Sequence, residues 1–304
     1  MNHRFPFLLA FALAGLVATP AWAQNGEAAA EAANASFRLR FTLAAFTDSR
    51  ERGLSNSANR PAVRASVELL HASGAFAEME LLRVSKAQYP QGQGVQLQAA
   101  AGYRWGSPDE WHYELGGLYS HFPGSKLPGL SGYHLTMDPD LGEIIDVTPI
   151  PGDVSPTTAE LFGRVSFRGF SLRYYPTVSK NFYGVSAKTV CAGLEDLAES
   201  YECYQDGLKN SRGSGYVEIA HLHRLSKAAA VELRLVYQQV RHFRDFDTSS
   251  FSIEYRHLWR GCEFGVAVVG ARPRSREAHE VEMGGGASRD SAKTTLVLGV
   301  SRSF

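Results

Sequence analysis

The sequence predicts an all-β protein, a transmembrane antiparallel up-and-down β-barrel of about twelve strands. Segments of roughly ten residues repeatedly alternate apolar with polar or small side chains, which is the period of a strand that faces two environments. The connections between these segments alternate between short and long, as in barrels whose two rims differ. The last segment runs to Phe304 in mid-pattern, which is typical of the closing strand of an outer-membrane barrel.

The amino-terminal stretch has the features of a secretory signal peptide. A short basic start precedes an apolar run, and residues 21–23, Ala-Trp-Ala, form an A-x-A cleavage site. We therefore expect a signal peptide over 1–23, a flexible Ala-rich spacer over 24–35 and a barrel over 36–304. The expected location is the cell outer membrane of a Gram-negative bacterium, because no later segment is apolar enough to cross a bilayer as a helix.

Twelve alternating segments follow the spacer. In the first, Phe37, Leu39 and Phe41 alternate with Arg38 and Arg40. In chain order the predicted strands are 36–46, 62–70, 75–84, 94–105, 110–122, 158–167, 170–178, 214–225, 230–243, 250–259, 262–271 and 294–304. Two connections, 123–156 and 180–213, are much longer than the others and are expected to be external loops.

If the apolar side chains face lipid, a mixed set of Glu and Arg side chains faces the inside of the barrel. This predicted lumen lining consists of Arg38, Arg40, Arg64, Glu68, Glu78, Glu80, Arg104, Glu114, Glu160, Arg164, Arg173, Glu218, Glu232, Arg234, Glu254 and Arg256. Charges of both signs can define a narrow polar path. They can equally form a salt-bridged plug that conducts little.

Aromatic residues cluster at the ends of the predicted strands, where the interfacial girdle of a membrane barrel lies. The predicted girdle residues are Tyr103, Trp105, Trp111, Tyr119, Phe122, Trp259 and Phe304. The competing interpretation is a secreted two-sheet sandwich, which would bury the same apolar faces against each other.

The balanced charge of the chain and its predicted barrel fold together indicate which partners to expect. The 31 Lys and Arg residues balance the 31 Asp and Glu residues, so no basic field gathers nucleic acid. We expect contact with outer-membrane lipid and lipopolysaccharide, and with small hydrophilic solutes. The barrel-assembly machinery is a further expected partner, with Phe304 in the closing strand as the assembly signal.

Three cysteines are present in the chain. Cys191 and Cys203 lie in one long external loop and are a plausible disulfide in an oxidising compartment. Metal binding is the weaker alternative, since no CxxC or histidine pattern accompanies them. The segment between them is predicted to be a short helix in a loop that folds over the pore mouth. Cys262 is expected at the opposite rim.

No pattern predicts catalysis, a metal site or a cofactor. The sequence has neither a G-x-S-x-G elbow nor an H-E-x-x-H helix, and His221 and His223 share a predicted lipid-facing strand side. Acidic residues in the loop 123–156 have oxygen ligands spaced for Ca²⁺, but a solvated acidic loop is the simpler interpretation. Those residues are Asp138, Asp140, Glu143 and Asp146.

The segment 46–81 resembles the opening of the TorF family of outer-membrane porins. Arg52–Ser55 matches the Arg-Gly segment of that family, Pro61–Val63 its next strand, and Gly74 the turn that follows. The stretch Tyr119–Ser125 resembles its Tyr-x-Tyr-Pro-Gly motif. The resemblance implies a pore-like barrel.

This chain departs from the TorF pattern at three positions and in its two very long loops. Ser49 stands where the family favours Tyr, Arg64 where it favours Gln, and Arg302 where closing strands favour an apolar residue.

The predicted function is a porin-like channel for passive diffusion of small hydrophilic solutes, without enzymatic activity. One alternative is a non-conducting barrel that acts in adhesion or envelope structure through its external loops. Another is a barrel hydrolase, of the kind that some outer-membrane barrels represent.

Overall fold

The computed structural model describes residues 36–107, 110–205, 209–283 and 287–304. The predicted signal peptide over 1–23 and spacer over 24–35 lie outside the described residues. Most of the described chain is β-strand, and it is organised around a single closed sheet.

The strands follow the predicted order. In chain order they are β1 Phe37–Phe46, β2 Arg50–Glu51, β3 Leu54–Ser55, β4 Ala62–His71, β5 Ala75–Arg83, β6 Val95–Gly106, β7 Trp111–His121, β8 Leu127–Met137, β9 Ile144–Val154, β10 Thr158–Phe167, β11 Phe170–Pro176, β12 Gly215–Arg224, β13 Ala229–Gln239, β14 Thr248–Trp259, β15 Cys262–Pro273, β16 Glu280–Glu282, β17 Ser288–Asp290 and β18 Thr295–Ser303. Two short helices are α1 Ala187–Ala192 and α2 Leu197–Gln205. Neither of these helices, which lie in the described part of the chain, is long and apolar enough to cross a membrane.

Twelve of the strands close into an antiparallel barrel, in the order β1-β18-β15-β14-β13-β12-β11-β10-β7-β6-β5-β4. Closure occurs at β1, which pairs with β4 on one side and β18 on the other. On the β18 side Thr42 lies opposite Ser303, and the Phe304 amide donates to the Phe41 carbonyl at 2.8 Å. The twelve-stranded barrel is confirmed, and the two-sheet sandwich is excluded because the sheet closes on itself.

The two rims of the barrel differ as the connection lengths predict. One rim carries tight turns and is called here the short-turn rim; the other carries the long connections and is called the long-connection rim. Two of the tight turns are Arg-Gly pairs with positive φ at both residues: Arg168 and Gly169 at 46° and 88°, Arg260 and Gly261 at 50° and 75°. Such turns match the twist of the strands that they join.

The outer wall of the barrel is an exposed apolar band. On β1 the outward side chains are 50–57% exposed; they are Phe37, Leu39, Phe41 and Leu43. Large apolar residues alternate in the same way on the other barrel strands. A soluble protein rarely leaves so continuous an apolar surface uncovered, so the wall is suited to hydrocarbon.

Apolar side chains also occur inside the barrel, contrary to a uniform rule that they face outward. Phe76, Gly102, Gly116 and Phe162 occupy one cross-strand row over β5, β6, β7 and β10. The two phenylalanines are buried, and their ring centroids lie 6.3 Å apart across the two glycines. The glycines therefore leave the space in which the rings meet.

Replacing Gly116 by alanine should destabilise the barrel, because a Cβ there would lie 2.4 Å from the Phe162 ring. Overpacking of this kind typically costs about 1–3 kcal/mol. Urea unfolding in detergent micelles measures the loss. The matched control is Gly117→Ala, whose Cβ meets nothing nearer than 3.8 Å. Equal stability of the two variants would contradict this packing role.

The predicted aromatic girdle is correct in position except for one residue. Tyr103, Trp105, Trp111, Tyr119, Trp259 and Phe304 are exposed on the outer wall, between 41% and 64%. Phe122, by contrast, is buried and stacks on Tyr89 at a centroid distance of 4.0 Å. Phe122 directly follows β7, whose outward side chains are the odd-numbered Trp111, Tyr113 and Tyr119, so the strand alternation directs it inward, where it packs against the connection that carries Tyr89.

The two longest connections fold together outside the barrel. The first forms the hairpin β8–β9, and the second forms α1 and α2, which pack against that hairpin. The predicted disulfide between Cys191 and Cys203 is present and joins the two helices, with the Cα atoms 5.7 Å apart. Cys262 is a free thiol at the short-turn rim, as predicted. The hairpin and helices form one compact unit on the long-connection rim.

Candidate functional site in the barrel interior

Most of the Glu and Arg residues of the predicted lining are linked to one another by ion pairs. A first network runs over β1, β4, β6 and β7. Glu68 accepts from both Arg40, at 3.4 Å, and Arg104, which also pairs with Glu114 at 3.2 Å. The Arg104 guanidinium lies 3.9 Å from the Phe76 ring centroid, so the interior phenylalanine also positions this network.

A second network runs over β11, β12, β13 and β14. Glu218 pairs with Arg173 at 3.2 Å and Arg234 at 3.6 Å, while Glu232 pairs with Arg234 at 3.2 Å and Arg256 at 3.0 Å. Each carboxylate is therefore shared by two arginines. Such sharing holds the side chains in fixed positions and leaves few of them free to move with a solute.

The remaining members of the predicted lining divide into three groups. Arg64 and Glu80 pair at 3.1 Å, and Glu160 binds a residue from a connection, described below. Glu78, Arg164 and Glu254 are half-buried inside the wall and form no ion pair within the described residues. Arg38 is exposed at the start of β1.

Breaking the Arg64–Glu80 pair on one side should cost more than removing both charges. Each side chain is only 9% exposed, and an uncompensated charge there is costly, typically about 3–5 kcal/mol. We expect Glu80→Met and Arg64→Met each to lower the free energy of unfolding by more than the double variant does. A double-mutant cycle by urea unfolding measures the coupling, and strictly additive effects would contradict it.

The connection between β1 and β4 folds into the long-connection mouth of the barrel instead of projecting outward. A dense polar network shapes it. The buried Asp48 carboxylate accepts from the Arg50 Nε at 2.6 Å and from the hydroxyls of Ser55 and Ser57. The Arg50 guanidinium also donates to Asn59 at 2.9 Å. This network fixes the small hairpin β2–β3, here called the inner hairpin.

Arg52 at the tip of the inner hairpin crosses the barrel mouth. It donates to the Glu160 carboxylate on β10 at 2.6 Å and lies 4.0 Å from the Tyr216 ring centroid on β12. The next residue, Gly53, adopts φ 83°, and a Cβ there would lie 2.2 Å from the Ser250 side chain on β14. The tip thus contacts three strands of the opposite wall.

Arg52 is not among the residues of the predicted lumen lining. Arg52 and Gly53 were expected in an external loop that resembles the TorF Arg-Gly segment. The only local signal was the Arg-Gly pair itself, which favours a tight positive-φ turn: Arg52 has φ 53°.

The start of the loop 180–213 covers the inner hairpin, whereas the disulfide-linked segment predicted to fold over the mouth does not reach it within the described residues. The Tyr183 hydroxyl donates to the Glu51 carboxylate at 2.9 Å, and the rings of Phe182 and Tyr183 both lie 5.2 Å from the Arg52 guanidinium. The contact comes from the start of the loop, while the disulfide-linked helices lie on the hairpin β8–β9. Arg52 is thereby enclosed between β10, β12 and this loop.

Beneath the inner hairpin lies a small cavity lined by both apolar and charged side chains. Its volume is about 90 Å³, and its lining includes Arg52, Glu218, Arg234 and Glu254. A cavity of this size has room for water, and its charged side chains offer hydrogen-bond partners. The interior therefore holds space that suits water between its charged side chains and the inner hairpin.

The last long connection contains a buried histidine. His279 is 8% exposed, its ring contacts Phe246 edge-on at 6.0 Å, and its backbone carbonyl accepts from the Ser291 hydroxyl at 2.7 Å. Burial lowers the pKa of His279 to about 4, although the nearby Asp290 carboxylate acts in the opposite direction. The folded connection therefore holds the neutral imidazole.

Acidification should loosen this connection. Because the folded pKa lies near 4 and the ordinary value near 6.5, the stabilisation is complete above pH 6.5 and is lost as pH falls towards 4. The full effect is on the order of 3 kcal/mol. Hydrogen exchange over 274–283 at pH 7 and pH 4.5 measures it. His279→Leu should abolish the pH dependence, and substitution of the exposed His134 should not; an unchanged pH profile in His279→Leu would contradict this role.

The acidic residues of the loop 123–156 do not form a metal site. Asp138 Oδ1 accepts from the amides of Asp140 and Leu141, so this carboxylate caps the turn between β8 and β9. Within the described residues, no group of three or more His, Cys, Asp or Glu side chains is placed to hold a metal ion. His221 lies half-buried against Phe170 on the outer wall, and His223 is exposed beside it.

Comparison with known proteins finds similar folds at very low sequence identity. The KdgM porin is 11% identical, with a TM-score of 0.44 over 88% of this chain and 99% of that chain. A structure of the NanC porin is 8% identical, with a TM-score of 0.46 over 87% and 98% of the two chains. OccAB4 of Acinetobacter baumannii is 7% identical, with a TM-score of 0.36 over 87% and 56%.

No family model matches the sequence, and no curated protein matches it. The resemblance to the TorF family therefore stays a prediction. At the identities above, the structural similarity concerns barrel architecture, so function has to be inferred from the interior of this chain.

Proposed function

We propose that this chain is a narrow, gated outer-membrane channel for passive diffusion of small hydrophilic solutes, and not an enzyme. One observation carries the proposal: a closed strand ring has an apolar outer wall and an inner wall of Glu and Arg side chains. The first surface is suited to hydrocarbon, and the second requires water or counter-charges. We further propose membership of the TorF family.

The proposed path is polar, narrow and weakly selective for charge. Twelve strands enclose an interior between the filled eight-stranded barrels and the open channels of about sixteen strands. The predicted lining has equal numbers of Glu and Arg residues, and most of them are paired. Charged side chains that neutralise one another keep the passage hydrated, but they do not strongly favour anions or cations.

The inner hairpin is the proposed gate. Arg52 bridges it to Glu160 on the opposite wall, and Tyr183 holds Glu51 from the covering loop. Movement of the hairpin into the external solvent would vacate the mouth without breaking any barrel strand pairing. The Arg52–Glu160 ion pair and the aromatic rings around the Arg52 guanidinium would oppose this movement of the hairpin.

Delivery and assembly are proposed from the sequence. The signal peptide 1–23 would direct export across the inner membrane, and the mature chain would begin at Gln24. The closing strand, with Phe304 at its end, is the proposed signal for the barrel-assembly machinery. Outer-membrane lipid and lipopolysaccharide would then surround the apolar wall.

Removing the Arg52 side chain should raise single-channel conductance in planar bilayers. Arg52→Gly suits the positive φ of 53°, so the inner hairpin keeps its backbone while the bridge to Glu160 is lost. The matched control is Arg260→Gly, which has φ 50° and lies on the short-turn rim. We expect the control to conduct like the wild type. A liposome-swelling panel of sugars, amino acids and anions then identifies the solute class.

A non-conducting barrel that acts in adhesion or envelope structure is the second candidate. The observation that favours it is the apolar tip of the hairpin β8–β9, where Leu141, Ile145 and Met137 are 72%, 61% and 57% exposed. If the wild type and Arg52→Gly both fail to conduct while inserted in the bilayer, the channel proposal is wrong and this candidate replaces it.

A further inference from the structure

A long apolar groove crosses the outer wall where the barrel closes. It spans β18, β1, β4 and β5 and has a volume of about 1200 Å³. Leu43, Ala65 and Leu81 occupy one cross-strand row in its floor, so a small side chain lies between two exposed leucines. The volume exceeds the roughly 300–1,000 Å³ of pockets for drug-sized ligands.

The groove ends in a cluster of cations at the long-connection rim. Arg60, Arg83 and Lys86 line this end, and all three are exposed. None of the three side chains forms an ion pair or hydrogen bond with another described residue. No Asp or Glu is among the described residues that line the groove. An apolar channel that opens onto unpaired cations is complementary to an acyl chain attached to a phosphate.

We propose that this groove binds a phosphorylated, multiply acylated glycolipid of the outer leaflet, of the lipid A class. Its acyl chains would lie along Leu43, Ala65 and Leu81, and its phosphates would bind Arg60, Arg83 and Lys86. The site lies on the side of the long external loops, where such lipids are found in an outer membrane. This inference depends on the proposed outer-membrane location, but not on conductance.

A lipid site of this kind needs both the apolar groove and the cations at its end, because exposed cations occur elsewhere on the same rim. Arg272, Arg274 and Arg276 also lie exposed on the long-connection rim and have no ion pair with described residues, but none lines the groove. They carry the same charge as the groove cluster. A general attraction of the rim for anionic lipid would involve both sets equally.

Native mass spectrometry of the purified full-length mature protein, with diphosphoryl lipid A added, tests the site. We expect the triple variant Arg60→Gln, Arg83→Gln and Lys86→Gln to lower lipid A affinity roughly tenfold or more. The control triple Arg272→Gln, Arg274→Gln and Arg276→Gln should bind as the wild type does. Equal losses in the two triples, or no loss in either, would overturn the proposal.

Two further comparisons test the acyl and headgroup parts. Ala65→Leu should fill the groove floor and reduce lipid A binding, whereas Ala77→Leu, on the outer wall but outside the groove, should not. Phosphatidylglycerol, which carries one phosphate, should bind more weakly than lipid A. Equal binding of the two lipids would overturn the glycolipid assignment, and an unchanged Ala65→Leu would overturn the groove.

The same proteins separate this inference from the proposed channel. Conductance in bilayers without lipid A should be unchanged in the Arg60, Arg83 and Lys86 triple variant. A channel that conducts but shows no difference between the triples refutes the lipid site alone. A protein that binds lipid A as predicted but never conducts refutes the channel alone.

Discussion

The closure of β1 against both β4 and β18 is the constraint on which the rest of the structure depends. A strand edge surrounded by hydrocarbon would leave backbone amides and carbonyls without partners, and each would be costly. The final contact, between Phe304 and Phe41, extends the β1–β18 pairing to the last residue of the chain. Once the ring is closed, alternation along the strands divides the side chains into an apolar outside and a mostly polar inside.

The sequence predicted the barrel strands well because each strand faces two different environments, which imposes a period of two. The same parity placed Glu218 and Arg234 on one side of the wall. Parity says nothing about a connection, since a polar loop has the same composition whether it folds inward or outward. Arg52 was therefore missed, and the Arg52–Glu160 contact joins residues 108 positions apart. Phe122 was assigned to the girdle by its place at a strand end, although the alternation along β7 puts it on the inward side. The same parity puts Phe76 and Phe162 inside, but their contact across the facing glycines depends on the pairing of four strands and could not be predicted.

In the barrel interior, most carboxylates of the two ion-pair networks bind two arginines each and do not form isolated pairs. Glu68, Glu218 and Glu232 each accept from two arginines on different strands, so each carboxylate connects neighbouring parts of the wall. Shared carboxylates resist displacement, because moving one side chain disturbs two partners. The shared ion pairs hold the wall side chains in fixed positions, whereas the inner hairpin belongs to a connection, and for this reason it is the proposed gate.

The inner hairpin also has a consequence for the order of assembly. It is synthesised directly after β1, but its contacts are with β10, β12 and β14, which come much later in the chain. Those strands present Glu160, Tyr216 and Ser250 on a common inner surface only when they are paired in the barrel wall. The contacts of the inner hairpin therefore cannot form until these later strands are in place, so the hairpin is made early but reaches its final position late.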